Sequence, residues 1–175
     1  DAPVVIVLGG ISAHRHASAH AVQPQRGWWQ GVVGAGLAID TERFQVLSFD
    51  WLGGAGNSTG PAQGESFPFV DADDQAGALW ALCDALRIDK VHAIVGCSYG
   101  GMVAQHSAAK APERCQRLVA IAAAHRSHAQ ASAWRHVQRG IVELGCVNGT
   151  VQKSLALARS LAMATYRSPD ELDER

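Results

Sequence analysis

Apolar residues fall in short unbroken runs through the first two-thirds of the chain and at helical spacing through the last third. Val4 to Leu8 is a continuous, β-branched run ending at Gly9-Gly10, the pattern of a strand buried on both faces. Phe44 to Phe49 is a second such run, closed by Asp50 and a glycine-rich segment from Gly53 to Pro61. Between them residues 11–26 read as a polar loop. Asp71 to Leu86 repeats apolar residues (Ala76, Leu79, Trp80, Leu82, Cys83 and Leu86) at helical spacing. Val91 to Val95 is strand-like, Met102 to Lys110 is alanine-rich and helix-like, and Arg117 to Ala123 reads as a fourth strand. Strands alternating with helices predict βαβ units, and hence an α/β fold with a parallel sheet covered by helices on both faces. After Ala124 the strands stop, and Trp134 to Leu144 and Val151 to Tyr166 read as helices. The expected division is a sheet-containing part, 1–124, and a helical part, 125–175. The charged stretch from Ser168 to Arg175 reads as an exposed turn or helix start.

Composition narrows the function classes. Of 175 residues, 47% are apolar, enough for a core, and the formal charge of -1 gives no reason to expect nucleic acid or an anionic membrane as partner. No apolar run approaches the roughly 20 residues that span a bilayer. The start, Asp1-Ala2-Pro3, lacks the basic region of a signal peptide and lacks a methionine, so the chain reads as entered mid-domain. Cys83, Cys97, Cys115 and Cys146 form no C-x-x-C pair and read as reduced, mostly buried thiols of a cytosolic protein.

The chemistry concentrates at Gly96-Cys97-Ser98-Tyr99-Gly100, a G-x-S-x-G segment between a strand-like run and a helix-like run. Such a turn strains the serine backbone, demands small neighbours and pushes the hydroxyl outward. It also sets the Tyr99 N–H at a helix N-terminus, where a developing oxyanion can use it. Ser98 is therefore the candidate nucleophile, and Cys97 reads as packing. A glycine-rich turn with an incidental serine is the plainer alternative.

Further segments resemble the MetX-type homoserine O-acyltransferases of the α/β-hydrolase superfamily. These are Gly27-Trp28-Trp29, Val33-Gly34-Ala35-Gly36, Ala38-Ile39-Asp40-Thr41, Leu52-Gly53-Gly54 with Ser58-Thr59-Gly60-Pro61, and Phe67-Pro68 with Asp74. The elbow through Met102, Val137-Gln138-Arg139, and Leu157-Ala158-Arg159 with Thr165-Tyr166 complete the set. The chain departs from the family at Ala55 (usually Cys), Asn57 (usually Gly), Tyr99 (commonly Met) and Ile11 (often Gly). The resemblance implies a partial α/β-hydrolase-like sheet followed by the beginning of a helical lid. It implies transfer of an acetyl or succinyl group from acyl-CoA to the homoserine hydroxyl through an acyl-serine, in methionine biosynthesis. Serine as acceptor, an esterase using water, and a non-catalytic binding protein remain open.

On that resemblance, Ser98 is the nucleophile, and the backbone N–H groups of Tyr99 and Ile11 form the oxyanion hole. Arg159 and Tyr166 then contact the acceptor. By itself Arg159 reads as a solvated charge on an amphipathic helix. Tyr166 lies seven positions on, close to two helical turns, so both are expected to face one cleft. No bound cofactor and no metal are expected, since His14, His16 and His20 lack an accompanying carboxylate or cysteine and read as loop histidines. The Gly53–Gly60 segment lacks the ending of a P-loop and reads as a structural turn. His125 is not taken as the catalytic base, because in this fold base and acid follow later in the chain. The expectation is thus a piece of a longer cytoplasmic enzyme that is a homodimer when complete, inactive without the later Asp and His.

Overall fold

A computed structural model describes residues 2–54, 56–62 and 66–174. It comprises two units, Asp1–His125 and Arg126–Arg175. The first is built on a four-stranded parallel sheet in the order β4-β1-β5-β6, with β1 Val4–Leu8, β4 Gln45–Leu47, β5 Ala93–Cys97 and β6 Leu118–Ile121. Its central pair runs in register from Val5↔Ala93 to Leu8↔Gly96. The glycine of the elbow therefore lies directly beside the end of β1.

Alternation along β1 divides the core between the two faces of the sheet. Ile6 and Leu8 pack with Leu79, Trp80 and Cys83 of α1 (Ala72–Ala85) and with Val103 and Ala104 of α2 (Tyr99–Lys110). Val5 and Val7 pack on the other face with Ala17, Val33 and Ile39. The sequence predicts helices on both faces; in this unit α1 and α2 share one face, and irregular chain covers the other. That chain lacks a helical apolar period, and it is organised instead by a two-residue pair, β2 Val33–Gly34 and β3 Ile39–Asp40. Trp28 and Trp29, stacked 5.2 Å apart, pack against the same cluster.

Helix α1 starts where its sequence says it should. The Asp71 carboxylate accepts from the N–H groups of Asp73 and Asp74 at 2.8 and 3.1 Å, and the Asp74 carboxylate accepts from the Asp71 N–H at 3.0 Å. This reciprocal box satisfies three of the N–H groups that a helix start leaves orphaned. Lys110 at the end of α2 pairs with Asp73 at 2.6 Å and ties the two helices together.

The second unit is a helical hairpin of α3 (Ala129–Val147) and α4 (Val151–Thr165), followed by the short α5 (Pro169–Asp173). The turn uses Gly149 at φ +67, and the Thr150 N–H donates to the Gly145 carbonyl at 2.8 Å. No helix among the described residues is long and apolar enough to cross a membrane.

Truncating the core and removing the cap should have unequal effects. Leu79→Ala, at a fully buried position, should lower the unfolding free energy by about 2–5 kcal/mol. Asp71→Ala should cost about 1 kcal/mol. Equilibrium urea denaturation of the two variants checks the order.

Candidate active site

β5 ends at Cys97, and the chain turns at once into α2 through Ser98, whose backbone sits at φ 54, ψ -121. A non-glycine residue at such a positive φ costs about 1–3 kcal/mol and persists only where its surroundings fix it. Here the surroundings are backbone. A Cβ on Gly100 would overlap the Leu8 and Gly9 carbonyls, and one on Gly96 would overlap the Gly100 carbonyl. One on Gly101 would lie 2.5 Å from the Ala123 Cβ. The Gly100 N–H donates to the Gly9 carbonyl at 2.9 Å, and the Ser98 N–H donates to the Ile121 carbonyl at 2.9 Å. Strand ends on both sides thus hold the turn. Ser98 is exposed, and its hydroxyl does not cap its own helix, although serine is among the preferred capping residues.

The N–H groups around this hydroxyl are unequally committed. Gly101 and Met102 donate to the Ser98 carbonyl at 3.0 and 3.2 Å, and Gly100 is spent on Gly9. Tyr99, first in the helix, has no carbonyl of its own helix to bond. Ile11 follows β1 in the neighbouring turn and is 69% exposed. Its loop is fixed at Gly10, whose carbonyl accepts from the Ala13 N–H at 2.9 Å and from the Trp51 indole at 3.0 Å. Tyr99 and Ile11 therefore belong to two segments pinned together by the Gly100–Gly9 hydrogen bond. An exposed hydroxyl beside backbone donors at the carboxyl ends of parallel strands is an arrangement suited to acyl transfer.

The side chains beside Ser98 turn inward. The Tyr99 ring meets Trp51 edge-on at 5.1 Å. Burial pushes its phenol up, a hydrogen bond to Gln75 opposing, so it stays neutral. Burial likewise pushes up the Cys97 thiol against a hydrogen bond with the Gly10 backbone. A thiol held protonated is a poor nucleophile. Of the three side chains at this corner, Ser98 is the exposed one.

The sequence reading does not find the polar lock beneath the site. Asp50 is buried, and its carboxylate accepts from the Arg15 N–H at 2.8 Å, from the Asn57 N–H at 3.3 Å and from the Arg15 guanidinium. Ser58 donates to the Asp50 carbonyl at 2.7 Å. Burial alone would raise the Asp50 carboxyl; the bonds from Arg15 and Asn57 outweigh it and hold the group below the usual carboxylate range. Only Asp50, closing the second strand-like run, hints at this lock in the sequence. The glycine-rich segment spends its Asn57 N–H on Asp50 and closes with the Gly53 N–H on the Thr59 carbonyl at 3.0 Å. It is a turn braced against the core. Ala55, a departure from the family pattern, lies outside the described residues.

The remaining candidates are placed as follows. The His14 and His16 rings are 5.4 Å apart, and the His14 Nδ1 accepts from the His16 N–H at 3.1 Å. Among the described residues, no group of three or more His, Cys, Asp or Glu is arranged to hold a metal. His125 is exposed at the end of the first unit. In the helical unit, Arg159 lines a cavity of about 530 Å³ together with Arg135 and Arg139 of α3. Tyr166 is not in that cavity. It caps the C-terminus of α4 and lines a second cavity of about 930 Å³, which shares Arg135 and Gln138 with the first. The seven-residue spacing predicts one cleft for both; the structure gives two cavities that share Arg135 and Gln138, with Arg159 lining one and Tyr166 the other.

Comparison with known proteins decides the family. A family model described as the alpha/beta hydrolase fold matches residues 3–144. The chain belongs to the α/β-hydrolase family. Within it, the chain is 47% identical over 175 residues to a homoserine O-succinyltransferase of Xanthomonas campestris pv. campestris, covering 100% of this chain and 45% of that protein. It is 38% identical over 192 residues to a homoserine O-acetyltransferase of Clavibacter michiganensis subsp. michiganensis, covering 98% and 49%. The chain therefore spans about half the length of these curated relatives. Among solved structures, esterase E22 superposes with a TM-score of 0.84 at 25% identity, over 99% of this chain and 54% of that one. The chain is thus similar both to homoserine O-acyltransferases and to an esterase.

The lowered Asp50 carboxyl makes the lock pH-dependent. Its contribution is complete above the ordinary carboxylate pKa of about 3.9 and is lost as pH falls through the lower folded value. The stability gap between wild type and Asp50→Asn should be widest near neutrality and narrow by about pH 3. Urea midpoints at neutral and acid pH measure it.

Proposed function

We propose that this chain carries the nucleophile-bearing part of a homoserine O-acyltransferase. The observation that carries the reading is Ser98, exposed on a strained elbow with its hydroxyl withheld from the helix it begins. The names of the curated relatives support both the reaction class and the acceptor.

In the first step the Ser98 Oγ attacks the thioester carbonyl of acetyl-CoA or succinyl-CoA and gives its proton to a general base. The C–S bond breaks, and CoA leaves as the thiol once protonated. The base and its orienting acid are supplied by the part of the fold that the relatives have and this chain does not span. The oxyanion is held by the N–H groups of Tyr99 and Ile11. In the second step the homoserine hydroxyl attacks the acyl-serine carbonyl, and the bond to Ser98 Oγ breaks, restoring the serine. Arg159 receives the acceptor carboxylate through its guanidinium fork, with Tyr166 beside the acceptor. The complete protein is a cytoplasmic homodimer that works on small molecules without a prosthetic group. Hydrolysis is the second reading, supported by the likeness to esterase E22; it needs only water as acceptor.

Two measurements test this. Incubation of the complete enzyme with acyl-CoA followed by intact-mass and peptide mass spectrometry should show one acyl adduct on Ser98, absent in Ser98→Ala. In the complete enzyme, Arg159→Ala should lower kcat/KM for homoserine-dependent CoA release by about 2–3 kcal/mol, the size of a lost charged contact. Turnover of a simple ester unaffected by homoserine in either protein would favour hydrolysis.

A further inference from the structure

Arg135 and Arg139 stand one turn apart on α3 and line, with Arg159 of α4, the cavity of about 530 Å³ in the helical unit. Like charges at this spacing cost a helix a few tenths of a kcal/mol, so the arrangement is paid for by something it binds or by nothing. The one acidic residue lining the cavity is Glu143, and it forms no ion pair with any of the three arginines. All three arginines are exposed, while the small Ala158 beneath them is buried between the helices. Three guanidinium groups against one carboxylate leave an excess of two positive charges in a space of the size that holds small ligands.

On the acyltransferase reading, one guanidinium takes the carboxylate of the acceptor. An amino acid is a zwitterion and brings no net charge, so it leaves the excess in place. We infer that Arg135 and Arg139 bind a second substrate anion in this cavity, beside the acceptor carboxylate held by Arg159: a carboxylate or phosphate group belonging to the acyl donor. The planar forks of arginine suit either group bidentately. The carboxylate source is the free end of a dicarboxylic acyl group, and the phosphate source is the CoA moiety.

The test is calorimetric titration of the 175-residue chain with succinyl-CoA, acetyl-CoA and CoA. It compares wild type, the Arg135→Gln/Arg139→Gln double variant, and Lys153→Gln as a control. Glutamine keeps helix propensity, and circular dichroism verifies the helices. Lys153 lies on α4 and lines neither cavity. The double variant should bind at least one probe about tenfold or more weakly, a single bidentate contact's worth, while Lys153→Gln binds like wild type. A loss confined to succinyl-CoA assigns the anion to the acyl carboxylate; equal losses for all three assign it to phosphate. Three results overturn the inference: unchanged affinities in the double variant, an equal loss in Lys153→Gln, or no binding by a wild-type chain with intact helices. Mass spectrometry of the complete enzyme after incubation with acyl-CoA separates this from the reading it rests on. A Ser98 adduct there, with no arginine dependence of binding, sinks only the inference, and arginine-dependent binding with no adduct on the complete enzyme sinks only the reading.

Discussion

Three backbones meet at the end of the sheet with no room for a side chain between them, and the candidate site depends on that contact. β1 delivers the Leu8 and Gly9 carbonyls, β5 delivers Gly96, and the first turn of α2 delivers Gly100 and Gly101. Only glycine fits at these crossings. Because the helix must start so close to the strand, the residue between them has no relaxed conformation available, and Ser98 takes the strain. A serine forced into this backbone leaves its hydroxyl exposed instead of folding it onto the helix.

Strain of this kind persists only where neighbours hold it. The holding is graded. Nearest are the Gly100–Gly9 and Ser98–Ile121 hydrogen bonds, which tie the elbow to strands on either side. Next, Trp51 grips the Gly10 carbonyl and packs on Tyr99, so one side chain braces both segments that present free N–H groups. Farther out, Asp50 joins the loop after β1 to the glycine-rich turn through Arg15 and Asn57. Buried polar groups here are paired: among the described residues no buried side-chain nitrogen or oxygen lacks a partner. A satisfied polar layer under an active corner fixes geometry in a way an apolar layer would not.

What the sequence makes legible follows from how local each signal is. The run from Asp71 to Leu86 predicts α1 nearly to the residue, because its apolar period is written within a few positions. The elbow is legible for the same reason: its glycines mark the close approaches in one pentapeptide. The cover of the second face is not, since β2 and β3 are two residues each and carry no period. The Arg15–Asp50 pair spans 35 positions and leaves no local trace. Ala122, at φ 49 just past β6, is strained like Ser98, but alanine gives no hint of it. In the helical unit, the spacing from Arg159 to Tyr166 does not show that their surroundings divide into two adjoining cavities, because that division depends on residues of α3 and α5.

The central claim is that packing, and not the preference of serine, imposes the Ser98 conformation. Comparing the unfolding free energies of Ser98→Gly and Ser98→Ala measures this without any substrate. In the middle of a helix or strand, glycine is the costlier of the two by about 0.5–1 kcal/mol. At a φ of +54 the order reverses, and Ser98→Gly should be the more stable by about 1 kcal/mol or more. Ser98→Ala equal to or more stable than Ser98→Gly would mean that the corner is relaxed, and the account of a strained, outward-facing nucleophile would fail.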